Sequence, residues 1–275
     1  MRPSRTNPSE AARRLAARSG RRTALLVAAA LCALGMKPRD APEYGSVLLD
    51  RRASRAGVPP VTFDHWRHRA RFSCRVCHVD VGFAMARGET GISAATNRAR
   101  FHCGACHDGS PRAVGRPTFA ACSTSRNVDE APACRRCHAR PDETRARKAF
   151  EEFAARFPRG TFRDVDWERA EAQGLVAPAD FLEGVSVARP ALKMDRDVQI
   201  ESKAAWMTDV LFSHRKHAAW NGCEVCHPDI FPPVERDAAS PTMLQIAGGE
   251  SCGACHDRVA FPLAYCERCH LKRVR

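Results

Sequence analysis

Six times in this 275-residue chain, two cysteines stand at i and i+3 with a histidine directly after the second. The sets are Cys74, Cys77 and His78; Cys103, Cys106 and His107; Cys134, Cys137 and His138; Cys223, Cys226 and His227; Cys252, Cys255 and His256; and Cys266, Cys269 and His270. Cysteines at this spacing would serve zinc ribbons or dithiol redox centres equally well. The trailing histidine separates the readings. C-x-x-C-H is the attachment signature of c-type haem: two thiols add to the two vinyl groups, and the histidine reaches the iron from the same side. Only 11 of 275 residues are histidine, so six unplanned occurrences have a chance on the order of 10⁻⁹. The pattern predicts six covalently bound haem c groups.

These sets are arranged as a repeat. Subtracting 149 places Phe212, His214 and His217 on Phe63, His65 and His68, Cys223–His227 on Cys74–His78, and Cys252–His256 on Cys103–His107. The third set slips by about seventeen residues, because His270 minus His138 is 132 rather than 149. A triple-motif unit has been duplicated in tandem. The expected organisation is a secretion segment at 1–35, an extended Pro- and Arg-rich lead-in at 36–60, a first unit at 61–138, a haem-free, partly helical connector at 139–209 and a second unit at 210–275.

In the connector, Asp142 opens a predicted helix that aligns Phe150, Phe153, Ala154 and Phe157 on one face, and Pro158-Arg-Gly160 ends it. One or two further helical turns are predicted at Asp166–Ala170 and another at Pro178–Leu182. The apolar face is expected to pack across the two units. Aromatic content is only 7%, so the macrocycles themselves must supply much of the apolar core. The expected fold is mostly irregular with short α-helices and little or no β-sheet.

Residues 1–22 are rich in arginine, and Thr23–Gly35 is an apolar run of thirteen. That run is too short to span a bilayer but suits the hydrophobic region of an export signal, with cleavage after Gly35. Removing 1–35 takes away seven arginines and one glutamate, so the formal +13 becomes +7. Twelve propionates and six ferric irons would bring the oxidised protein to about +1 and the reduced one to about −5. The basic composition is therefore no argument for a nucleic-acid partner. Of fourteen cysteines, twelve sit in the motifs and Cys32 in the export segment. Only Cys122 remains, as a lone thiol.

Five histidines lie outside the motifs: His65, His68, His102, His214 and His217. F-x-H-x-x-H ahead of C-x-x-C-H, at Phe63-His65-His68 and Phe212-His214-His217, resembles the class III multihaem cytochromes, specifically the c7-type triheme domain. Cys-Gly-Ala-Cys-His-Asp, followed by an aromatic residue and a last C-x-x-C-H, is also similar to the repeat of the large "nanowire" cytochromes. The resemblance implies two triheme units built around covalent haems, and a ligand set. His65 would pair with His78, His68 with His107, His214 with His227 and His217 with His256. The third haem would take its ligand from just upstream of the second motif, which is His102 in the first half. The second half has Ser251 there, and no histidine is left for the haem of His270. Met243 is the expected substitute, since a thioether is a normal soft axial ligand. Met207 is its rival.

If protein fills both axial positions, no site remains for a small substrate, and one-electron transfer is the expected function. The expected partners are redox proteins, either other cytochromes or a membrane quinol-oxidising complex, outside the cytoplasm in a Gram-negative periplasm. Two alternatives stay open: a multihaem reductase with an open haem position, and a haem subunit of a membrane-associated conduit. A C-x-x-C-K variant, the mark of one reductase class, does not occur. N-terminal sequencing of the exported protein is expected to begin near residue 36. Full-length holoprotein in the cytoplasm would contradict this.

Overall fold

Glycine and proline, at 17 and 18 residues, are near ordinary frequency, yet the helices among the described residues are short. The longest helix among the described residues has 12 residues. The computed structural model describes residues 45–272 apart from 112–113, 123–131, 191–195, 205 and 233–239. The export segment expected at 1–35 and the beginning of the lead-in lie outside the described residues.

In chain order the first half contains β1 (Ser46–Leu49), α1 (Arg51–Arg55), β2 (Val61–Asp64), α2 (His65–Arg69), a π-type turn at Val76–Asp80, α3 (Ala94–Arg98), a 3₁₀ turn at His102–Ala105 and α4 (Pro132–Arg135). The connector supplies α5 (Glu143–Ala154) and α6 (Trp167–Ala172). The second half contains β3 (Asp197–Ile200), β4 (Asp209–Ser213), α7 (His214–Asn221), α8 (Met243–Gly248), a 3₁₀ turn at Ser251–Ala254, α9 (Cys266–Cys269) and β5 (His270–Lys272). Most of the chain is irregular. Its sheets are one antiparallel pair, β1-β2, and one three-stranded sheet in the order β3-β4-β5.

The two halves repeat in space as well as in sequence. β1 pairs antiparallel with β2, Ser46 opposite Asp64, and β3 pairs with β4, Asp197 opposite Ser213. Each pairing feeds directly into the helix that carries F-x-H-x-x-H. α3 and α8 both open with a capping box, Ser93 with Thr96 and Thr242 with Gln245, which satisfies two otherwise orphaned N–H donors. Each capped helix leads into a 3₁₀ turn whose first residue, His102 or Ser251, has φ 50°.

Three expectations need correcting. The lead-in is not extended throughout: Ser46–Leu49 is a strand, but Arg51–Arg55 turns as a helix whose Ala53 is buried. The partly helical connector does not end as helix or loop: its residues Asp197–Ile200 form β3, which pairs with β4 of the second half. Pro178–Leu182 forms no helix. Ala179 instead bridges Phe72 in parallel, accepting from Ser73 N at 2.9 Å and donating to Arg71 O at 2.8 Å. Its backbone groups are taken by the first half, and a helix would have to give them up.

α5 starts where Asp142 accepts a hydrogen bond from Arg145 N, 3.0 Å. Its apolar face joins Phe157, Val165, Trp167, Ala170 and Val176 in one buried cluster. Trp66 of α2 enters the cluster 5.5 Å from the Phe150 ring, and Trp220 of α7 packs against it. The connector therefore holds both halves through one core. Polar ties reinforce it: Arg75 donates to Asp180 Oδ2 at 2.6 Å, Arg268 to Asp166 Oδ2 at 2.6 Å, and Tyr265 Oη to Asp164 Oδ1 at 2.8 Å. Burial pushes the Asp164 carboxyl upward against the lowering effect of the tyrosine bond. Because Phe150 is buried in this cluster, Phe150→Ala is expected to cost about 3–5 kcal/mol in thermal unfolding of the holoprotein. A loss below about 1 kcal/mol would mean that the connector core does not support the fold.

Candidate functional site

In F-x-H-x-x-H the phenylalanine props both histidines. Phe63 meets His65 edge-on at 4.7 Å and stacks on His68 at 4.4 Å; Phe212 meets His214 at 4.8 Å and His217 at 4.3 Å. The strand ends at the phenylalanine's neighbour and the helix begins at the first histidine, which splays the two imidazoles in different directions. One residue type at one spacing thus serves two sites.

Three of the four histidine pairs implied by the family resemblance come together. Ring centroids are 6.3 Å apart for His65 and His78, 6.2 Å for His68 and His107, and 6.2 Å for His217 and His256. Two metal–nitrogen bonds of about 2 Å plus two ring radii of about 1.1 Å give roughly 6.2 Å. Imidazoles in direct stacking contact would sit closer. The spacing suits a metal ion between them, and the planes differ by 4°, 76° and 60° in turn. His214 and His227 make no such ring contact among the described residues.

The remaining ring nitrogens are assigned by their partners. Nδ1 of His65 faces Gly45 O at 3.0 Å, His68 Asp64 O at 3.0 Å, and His78 Phe83 O at 2.9 Å. His138 faces Pro59 O at 2.8 Å, His214 Arg196 O at 3.2 Å, His217 Ser213 O at 2.8 Å and His227 Phe231 O at 2.5 Å. His256 faces Phe261 O at 3.3 Å, and His270 Thr208 O at 2.6 Å. A carbonyl can only accept, so each of these nine Nδ1 atoms carries the proton and leaves its Nε2 lone pair for a metal. Burial, followed by the partner imidazole, lowers His65 and His256 from 6.5 to about 4. Burial lowers His68, His78, His107 and His217 as well. These side chains stay neutral at pH 7, the form that ligates. Burial also lifts the Cys77 and Cys255 thiols to about 12, so the reactive thiolate is suppressed once the chain has closed. The donor set fits a haem with two imidazole ligands.

The third motif of each half reaches an equivalent place despite the slip in sequence. His138 bridges Val61 and its Nδ1 faces Pro59 O; His270 pairs with Val210 and its Nδ1 faces Thr208 O. Both pairs of partners are 149 apart in sequence. His102 lies beside the Phe83 ring at 5.6 Å, with Nδ1 3.3 Å from Thr96 Oγ1. Met243 is the first residue of α8 and half exposed, and its equivalent in the first half is Ala94. Met207 immediately precedes Thr208, whose carbonyl faces Nδ1 of His270. Cys122 is half-buried, its sulfur 3.7 Å from the Asn97 amide.

Sequence reasoning missed the upstream strands; the residues just before them, Gly45 and Arg196, present their carbonyls to the first histidine of each half. It also missed Phe119 and Phe261, whose rings lie 4.2 Å from His107 and His256. The alternating S-V-L-L and D-V-Q-I segments carried a strand signal, but four residues are too few to read it with force.

Residues 61–139 and 210–271 match the family described as cytochrome c7 and related cytochrome c. The match covers just over half of the chain, which belongs to this family of multihaem c-type cytochromes. Its members are typically electron-transfer proteins rather than enzymes. Among solved structures, the C-terminal hexaheme fragment of GSU1996 is 21% identical over 82% of this chain and 96% of its own, with a TM-score of 0.25. The dodecaheme cytochrome c GSU1996 is 20% identical over 84% of this chain and 50% of its own, also with a TM-score of 0.25. No match was found among curated proteins. No helix among the described residues is long and apolar enough to cross a membrane.

The glycine of Cys-Gly-Ala-Cys-His is required by the same geometry in both halves. A Cβ at Gly104 would lie 1.8 Å from Asn97 O, and one at Gly253 1.8 Å from Ile246 O. Gly253→Ala must therefore push Cys252 and Cys255 away from α8. The variant is expected to lose about 1–3 kcal/mol of stability in thermal unfolding. Unchanged stability would show that the turn is not held against the helix.

Proposed function

We propose that this protein is a hexahaem c-type cytochrome that carries single electrons between redox partners outside the cytoplasm. The observation that carries the reading is the set of three half-buried imidazole pairs at 6.2–6.3 Å, most of whose Nδ1 protons are held by backbone carbonyls. When bound, each haem supplies a one-electron couple at its iron. The chain's own residues would hold the iron through the paired imidazole nitrogens, partly shield those half-buried pairs from water and set the local charge. Filling both axial positions leaves a small substrate nowhere to bind, which favours transfer over catalysis.

In this reading each triheme unit includes its upstream strand as well as the segments 61–138 and 210–275. His65 and His78, His68 and His107, His214 and His227, and His217 and His256 supply four ligand pairs, and His102 serves the haem of His138. Met243 serves the haem of His270. The two halves differ in a complementary way: the half with His102 has Ala94, and the half with Ser251 has Met243. The Arg-rich start with the Thr23–Gly35 run supports export to the periplasm. Partners would be other cytochromes or a membrane quinol-oxidising complex.

Intact-mass analysis of protein matured in a haem-attaching host should show six added haem masses, one for each motif. Bound zinc with no haem would sink the reading. In the oxidised protein, Met243→Leu should abolish a methionine-to-iron band at the red edge of the spectrum and leave the other five haems unchanged. Survival of that band would return Met243 to a packing role.

A further inference from the structure

The sequence order would join the third motif of the first half to the first motif of the second. The fold joins the first motifs instead. A Cβ on Gly222, next to Cys223, would lie 2.8 Å from Arg75 Cδ, within Cys74–Cys77. Arg189 of the connector bridges Asp80 at 2.7 Å, two residues past His78, and Glu224 at 2.9 Å, directly after Cys223. Arg69, between His68 and Cys74 in sequence, donates to Val259 O at 2.6 Å. Val259 in turn donates to Cys255 O at 2.8 Å. The second half thus brings its first two motifs against the first motif of the first half.

Arg69 is held where the halves meet. Its guanidinium lies 5.1 Å from the Trp167 ring and 4.9 Å from the Trp220 ring, one from the connector and one from the second half. Trp faces attract a cation electrostatically, and more strongly when it is desolvated. The repeat has Ala218 at the corresponding position, so this charge belongs to the junction and not to the triheme unit as such. A fixed positive charge favours the state that has gained an electron.

We propose that electrons cross between the two triheme units at this junction, and that Arg69 is the positioning charge that favours an electron there. The inference rests on the electron-transfer reading above. The step moves one electron between the site of His65 and His78 and that of His217 and His256, in either direction; one is oxidised, the other is reduced, and no bond or proton moves. The test is a potentiometric titration of the full holoprotein, with individual haems resolved by NMR, for wild type, Arg69→Gln and Arg69→Lys. Arg69→Gln is expected to shift the ferric-to-ferrous ratio of the two junction sites about tenfold towards ferric at fixed potential, ~59 mV for one electron. Arg69→Lys should restore most of the shift, which a purely structural role would not predict. Arg189→Gln, which releases Asp80 from Glu224, should slow electron equilibration between the units severalfold after flash photoreduction. A six-haem, reversibly reduced protein whose junction potentials ignore Arg69→Gln, or whose equilibration ignores Arg189→Gln, would overturn the junction alone. A chain without haem or without reversible reduction would overturn the electron-transfer reading beneath it.

Discussion

The arrangement of histidines in this fold depends on backbone carbonyls that accept a hydrogen bond from the Nδ1 side of an imidazole. Nine of the eleven histidines carry such a bond. It fixes the tautomer, orients the ring and leaves the opposite nitrogen basic. Five of these carbonyls are local, four or five residues from their histidine, but four come from afar: Gly45 reaches His65 from 20 residues away, Arg196 His214 from 18, Pro59 His138 across 79, and Thr208 His270 across 62. Short strands and turns that contribute little core of their own therefore have a definite task. They hold acceptors where ligands need them.

If each C-x-x-C-H motif carries a haem, as proposed, the chain has too few residues per prosthetic group to rely on an ordinary apolar core. The connector supplies the largest buried cluster among the described residues, and it draws Trp66 and Trp220 from the two halves into one packing unit. Two of its acids, Asp166 buried and Asp180 exposed, make the attachment directional. Asp166 holds Arg268, which lies inside the last C-x-x-C, and Asp180 holds Arg75, which lies inside the first. Attachment motifs, which would otherwise be exposed loops, are anchored by the side chain between their cysteines. Such partly buried ion pairs contribute more to geometry than to net stability.

Chemistry was more legible than architecture in this sequence. The six motifs and the 149-residue offset fixed where the haem attachments repeat, because covalent chemistry tolerates little variation in spacing. Asp142 and the Phe150–Phe157 face announced α5, since a cap and a helical period act together over twelve residues. β1 and β3 left almost no trace, being four residues each and defined by partners rather than by propensity. Pro178–Leu182 misled for the same reason: its backbone is claimed by Arg71 and Ser73 from a distance. The junction of the first motifs could not be read at all, because it arises where Arg69, Arg75 and Arg189 meet partners more than 100 residues away or across the connector.

The most direct test of the central claim is a count of axial ligand types on the fully oxidised protein, by low-temperature EPR with near-infrared magnetic circular dichroism. If backbone carbonyls preorganise the imidazoles in pairs, the spectrum will be dominated by low-spin bis-imidazole iron, with one imidazole–thioether centre and no high-spin signal. Several high-spin or water-bound centres would contradict the account, because they would mean that the paired histidines do not close on the iron.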